Sequence, residues 1–219
     1  MTSVRDRVIA DIRKHKIIAI VRGIPTELIV DLTGALYAGG IRLIEVTFDQ
    51  KGGTALTDTP CAITALCDTF GDNMRIGAGT VLTEGQVLAA ADAGAGFIVS
   101  PNVNEAVIMT TRATGLVSIP GALTPTEIMS AHDFGADLIK LFPAGELGLG
   151  YVKAICAPLN HIDFLAVGGV DHSNIGSFFK AGMCGAGIGS RLADKALVME
   201  KRFSELTDIA KAYASAVAE

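Results

Sequence analysis

The sequence predicts an α/β fold, a single (β/α)8 TIM barrel with one extra helix at its N-terminus, spanning residues 1–219 as one domain. Three observations carry that expectation. Short runs of Val, Ile, Leu and Ala recur along the chain, each following a helix-like stretch that ends in Gly and leading into a polar or Gly-rich loop. These runs are near-continuously apolar, as strands covered on both faces are. Eight such units in roughly 200 residues suit a small closed barrel better than an open doubly wound sheet. No Pro/Ser-rich linker or break in composition marks a second domain.

The elements follow in order. Residues 1–16 intersperse five basic and two acidic side chains with Val4, Val8, Ile9 and Ile12, the pattern of a short amphipathic surface helix. The segment lacks the apolar core of an export signal, so a cytoplasmic location is expected. The first strand is Lys16–Val21, with Arg22 at its end. The second lies in YAGGIRLIEVTF from Tyr37, and the third is Met74–Ala78. The fourth, fifth and sixth lie in DAGAGFIVSP from Asp92, ATGLVSIP from Ala113 and FGADLIKLFPA from Phe134. The seventh is Asp163–Val167, and the eighth lies in AGMCGAGIGS from Ala181. Gly39, Gly94, Gly115, Gly135 and Gly182 stand where a helix end favours positive φ. Thr83–Gln86 and Thr124–Glu127 both fit a capping box, the second with Pro125 at the first helical position.

Composition excludes several classes. Half of the residues are apolar, which rules out disorder, yet no apolar run approaches the ~18 residues of a spanning helix. A net charge of −5 offers no electrostatic attraction to nucleic acid or an anionic membrane. Cys61, Cys67, Cys156 and Cys184 form no CxxC pair and read as buried free thiols. His15, His132, His161 and His172 are scattered over surface-type segments, so no metal site is expected.

Two charged residues break the apolar pattern. Lys140 alone of nine lysines lies inside an apolar strand, in Leu138-Ile139-Lys140-Leu141-Phe142. Burial disfavours the ammonium, and the neutral amine that results attacks carbonyl carbons. The bland alternative is an internal salt bridge. Glu45 repeats the anomaly in Leu43-Ile44-Glu45-Val46-Thr47, where a carboxylate must be paired or hold its proton, as a proton shuttle does. Even a purely structural pair brings the two together inside the barrel. Both are expected near the C-terminal ends of their strands, the face on which barrel enzymes build active sites.

Gly-rich loops surround that rim. Gly168-Gly169 after the seventh strand and Gly187-Ile188-Gly189-Ser190 after the eighth, with a helix start behind, occupy the usual phosphate cradle of this architecture. Gly77-Ala78-Gly79-Thr80 after the third strand offers amides and a hydroxyl to a small carboxylate. Arg22 points a guanidinium at the same rim, either to clamp an anion or to pair with a loop carboxylate. No dinucleotide fingerprint, Walker loop, HExxH or GxSxG is present.

Over essentially its whole length the chain resembles the small class I pyruvate aldolases that act on 2-keto-3-deoxy-6-phosphogluconate and 2-keto-4-hydroxyglutarate. The motifs are IIAIVRG, AGGIRLIEVTF, IGAGTVL, GAGFIVSPNVN, SIPGALTPTEI, IKLFPA, AVGGV and GIGS, in that order. The resemblance implies that Lys140 forms a Schiff base with a 2-keto acid and that Glu45 is the general acid and base. It implies that Thr80 holds the pyruvyl carboxylate and that Gly168, Gly169, Gly189 and Ser190 receive the distal anion. Pro101, Pro120 and Phe142 would line the pocket. It further implies a homotrimer that needs no metal or cofactor. Several members carry an Arg four residues after the Glu to pair with the carboxylate; Asp49 stands there, which makes Arg22 the replacement donor. Two other readings share the fold: a sugar-phosphate isomerase or epimerase, and a ligand-binding barrel without turnover.

Overall fold

The computed structural model describes residues 3–51 and 55–217. The helix α1 (Val4–His15) precedes β1 (Ile17–Val21), α2 (Thr26–Ala38), β2 (Leu43–Thr47), α3 (Ala55–Phe70) and β3 (Arg75–Gly79). Next come α4 (Glu84–Asp92), β4 (Phe97–Val99), α5 (Glu105–Ala113), β5 (Val117–Ile119), β6 (Gly121–Ala122), α6 (Pro125–Asp133) and β7 (Ile139–Leu141). The chain continues with α7 (Ala144–Cys156), β8 (Phe164–Val167), α8 (Ile175–Lys180), β9 (Gly185–Ile188), α9 (Lys195–Met199) and α10 (Phe203–Ala216). All strand pairs are parallel, in the order β5-β4-β3-β2-β1-β9-β8-β7-β6.

The expected barrel is present, with the fifth strand split in two. Pro120 has no N–H for the ladder, so β5 pairs with β4 and β6 pairs with β7 on either side of it. The two halves close the ring: Asp137 N–H donates to Ser118 O at 2.9 Å, and Lys140 N–H to Pro120 O at 2.9 Å. Strand side chains alternate between two cores. Ile18, Leu43, Phe97, Val117, Leu138 and Leu165 fill the barrel, while the opposite faces pack under the helices.

The N-terminal helix does more than cover a surface. Val8 and Ile12 on its apolar face join the interior cluster and plug the bottom of the barrel. Its charged face fastens it there. Arg5 pairs with Asp137 below β7, Arg13 donates to Asp163 below β8 at 2.9 Å, and Asp11 accepts from Arg75 of β3 at 2.7 Å.

Local signals were refined in two places. Gly94, Gly115, Gly135 and Gly182 take positive φ as expected, but after α2 the left-handed residue is Gly40, at φ +99°. Gly39 instead allows close approach, since a Cβ there would collide with Ala210 and Thr207 of α10. The capping box at Thr124 is complete. At Thr83 it is half formed: the Thr83 hydroxyl accepts Gln86 N–H at 3.3 Å, but the Gln86 side chain accepts Leu82 N–H instead of its own cap.

The cysteines correct the reading of buried thiols. All four are free, with Cys61 exposed and Cys67, Cys156 and Cys184 only partly buried. Burial pushes the Cys184 thiol up to about 12. His132, His161 and His172 are exposed, and His15 is half-buried. Among the described residues no helix is long and apolar enough to cross a membrane, and no group of three or more His, Cys, Asp or Glu could hold a metal ion.

Candidate active site

Parallel register determines which way the two charged strand residues point. Glu45 pairs with Ile20 of β1 and Gly77 of β3, and Lys140 pairs with Leu165 of β8, which lies in the interior cluster. Paired residues of neighbouring parallel strands share a face, so both side chains enter the barrel. Each is the central residue of its strand rather than the last, one layer below the rim. Glu45 is 2% exposed and Lys140 7%.

The room they need comes from missing side chains. Gly77 and Gly79 lie within β3 rather than in the loop after it, and face inward. A Cβ on Gly79 would overlap the Glu45 carboxyl, and one on Gly77 would overlap the Phe97 ring. Gly79 therefore makes space for the carboxyl group and Gly77 for the Phe97 ring, and only Thr80 emerges at the rim.

Burial governs the electrostatics. It raises the Glu45 carboxyl above its ordinary value, while Lys140 and Arg22 pull it down more weakly. It lowers the Lys140 ammonium; the Arg22 cation adds to that and Glu45 opposes it. The net direction favours a neutral amine and a protonated acid, the pairing a carbonyl-attacking lysine and its proton donor require.

Above this pair opens a cavity of about 540 Å³. Arg22, Thr80, Pro101, Lys140, Phe142, Gly168, Gly169, Gly189 and Ser190 all lie on its wall, as expected from sequence. Two expected residues do not. Glu45 sits behind the wall, and Pro120 is buried in the break between β5 and β6, where its carbonyl holds Lys140 N–H. Lys140 Nζ lies 5.1 Å from the centre of the Phe142 ring, which forms a 43% exposed apolar lip. Sequence reasoning missed Asp171 and Arg191, which complete the wall beside the Gly168-Gly169 and Gly189-Ser190 loops. Arg191 directly follows the GIGS motif and was the available signal.

Arg22 reaches over the end of β2. Its Nη2 donates to Thr80 Oγ1 at 3.2 Å, linking the rims of β1 and β3 above Glu45. Thr80 holds φ +55°, a conformation that costs a β-branched residue on the order of 1 kcal/mol or more. Asp49 is turned away: its Oδ1 accepts Lys51 N–H at 2.9 Å and it lines a different hollow, beside Thr47 and Thr59. On the opposite wall Gly168 and Gly169 adopt φ +85° and +70°, and Gly169 packs so closely on Gly145 that a Cβ there would lie 2.9 Å from the Gly145 Cα. After Ser190 no helix begins directly. Leu192 and Ala193 N–H turn back to Gly189 O, and Asp194 caps the short α9.

Known proteins resemble this chain in sequence and fold. The family model for KDPG and KHG aldolase matches residues 8–209. The 2-dehydro-3-deoxy-6-phosphogalactonate aldolase of Escherichia coli K12 is 36% identical over 205 residues, 93% of this chain and 97% of that one. A solved native KDPGal structure superposes with TM-score 0.83 at 35% identity, covering 92% of this chain and 94% of its own. KDPG aldolase from Legionella pneumophila, solved with pyruvate captured as a covalent carbinolamine, superposes with TM-score 0.78 at 28% identity over 91% of this chain and 94% of its own. A thiamine phosphate pyrophosphorylase from Pyrococcus furiosus, at 16% identity and TM-score 0.69, shares the fold alone. With its family model spanning nearly the full length and such relatives on either side, the chain belongs to the KDPG and KHG aldolase family and is a carbon–carbon lyase.

Proposed function

We propose that this chain, acting as one barrel domain, is a Schiff-base aldolase that cleaves a 6-phosphorylated 2-keto-3-deoxy sugar acid to pyruvate and glyceraldehyde 3-phosphate. The observation that carries the reading is Lys140, a buried amine open only to a cavity with a cation on each wall. Arg22 beside Thr80 suits the pyruvyl carboxylate. Arg191, with the loops of Gly168-Gly169 and Gly189-Ser190, suits a phosphate.

The steps follow from those groups. Neutral Lys140 Nζ attacks the C2 carbonyl, and Glu45 gives a proton to the departing hydroxyl as the carbinolamine loses water to form an iminium. The Glu45 carboxylate, directly or through a water, then takes the C4 hydroxyl proton. The C3–C4 bonding electrons pass into the iminium, and the aldehyde leaves. Glu45 returns the proton to C3 of the enamine, and hydrolysis releases pyruvate and the amine. Lys140 divides one hard cleavage into easier covalent steps. Phe142, Pro101 and the buried Pro120 keep the reacting end apolar, which strengthens these charge interactions.

The test is pyruvate release from phosphorylated 2-keto-3-deoxy acids of both C4 configurations, set beside 2-keto-4-hydroxyglutarate. Preference for a phosphorylated substrate by tenfold or more in kcat/KM supports the reading. Preference for hydroxyglutarate would assign the second wall to the glyoxylate carboxylate instead. In the same account Arg22→Ala weakens pyruvate binding by about tenfold, the scale of one charge-assisted hydrogen bond. Unchanged pyruvate affinity would remove Arg22 from the carboxylate site.

We infer also a cytoplasmic homotrimer. The relation to a cage designed by fusing symmetric oligomeric domains, 34% identical over 94% of this chain, supports association, as do exposed Leu56, Leu88 and Met109 on successive helices α3, α4 and α5. Light scattering that gives a single-chain mass would contradict it.

A further inference from the structure

Thr80 is held from behind by a chain of two glutamines. Leu82 N–H donates to Gln86 Oε1 at 2.7 Å, Gln86 Nε2 donates to Gln50 Oε1 at 3.2 Å, and Gln50 Nε2 donates to Thr80 O at 2.8 Å. The ends dictate the direction. An amide N–H is only a donor and a carbonyl only an acceptor, so both side-chain amides have one orientation that satisfies every link. Neither glutamine lines the cavity, and Gln86 is buried on the first turn of α4. The chain grips the Thr80 carbonyl and leaves its hydroxyl to Arg22.

We propose that Gln50 and Gln86 are positioning residues for the carboxylate end of the substrate: they hold Thr80 in its left-handed conformation so that Thr80 Oγ1 and the Arg22 guanidinium meet above Glu45. The proposal rests on the reading of Thr80 and Arg22 given above. A simple brace for the start of α4 would need only the bond from Leu82 to Gln86. The relay adds two links that lead away from the helix and end on the residue whose hydroxyl faces the cavity. It also accounts for Asp49: the described part of the β2–α3 turn delivers Gln50 to the back of Thr80, while the Asp49 carboxylate turns to Lys51 N–H.

Gln86→Glu separates the two roles. A carboxylate still accepts Leu82 N–H, favoured at the first turn of a helix, but has no N–H for Gln50. Gln50→Ala removes the last link from an exposed loop position and leaves the folded core untouched. The measurement is the pyruvate concentration that half-saturates borohydride trapping at pH 8, with the limiting trapping rate and the melting temperature read in parallel. We expect each variant to need about tenfold more pyruvate with a limiting rate within twofold of the parent, the melting temperature holding in Gln50→Ala and falling in Gln86→Glu, whose carboxylate is buried. The double variant then adds little to either single change, since both cut one chain. Half-saturation within twofold of the parent in both variants, with the parent still labelled, would overturn the positioning role alone. Failure of the parent to trap pyruvate would overturn this role together with the Schiff-base reading beneath it.

Discussion

Lys140→Met is expected to abolish cleavage, lowering kcat/KM by at least about 10⁴-fold, the scale on which covalent nucleophiles count. Met retains the length and volume of the side chain, so the cavity keeps its shape while the attacking amine is gone. The variant should remain folded, because replacing a buried ionisable group by an apolar one of similar size is often neutral or stabilising. Proton linkage gives a second, independent readout. With its ammonium lowered from 10.5 by burial, Lys140 is less protonated in the folded chain than in the unfolded one. Stability due to this group is therefore full above about 10.5 and falls away as pH drops towards the lowered folded value. Denaturation midpoints compared from pH 8 to 10.5 should lose that slope in the variant. A folded variant with parental turnover would remove Lys140 from the chemistry.

Glu45→Gln is the second large effect. It preserves shape but removes proton transfer, which contributes about 10²- to 10⁴-fold, so kcat should fall by that factor. Imine formation should persist at a reduced rate, since Lys140 remains. Burial raises the Glu45 carboxyl, and the free enzyme needs it protonated to give the first proton, so its ionisation should shape the alkaline limb of the parental kcat/KM profile and that contribution should vanish in the variant. Parental turnover, or an unchanged alkaline limb, would assign the proton transfers to another group.

The most informative sequence features were local contradictions. Lys140 and Glu45 stand out because a charge inside an apolar strand has few physical explanations, and the fold then aims both side chains into one barrel interior from strands that do not touch. The strand–loop rhythm and the helix caps were legible for a similar reason, since each is dictated by neighbours within four residues. What escaped depends on distant contacts. Nothing in residues 1–16 says that Val8 and Ile12 close the barrel, because their partners Phe97, Val117 and Leu165 lie far along the chain. Gln50 and Gln86 look like ordinary polar residues until the fold joins them across 36 positions. Pro120 is a case in between. Its missing N–H signals the end of the fifth strand, but that pairing resumes at Gly121 depends on β7. The Gly77–Gly79 pattern suggested a ligand loop, whereas both glycines lie within β3 and make room for Phe97 and the Glu45 carboxyl.

The proposed chemistry requires a covalent bond between Lys140 and a 2-keto acid. The direct measurement is mass spectrometry of the protein after borohydride reduction with pyruvate, followed by peptide mapping. A reduced pyruvyl adduct on the peptide carrying Ile139-Lys140-Leu141 is the predicted result. No adduct on folded protein, or one on another lysine, would contradict it.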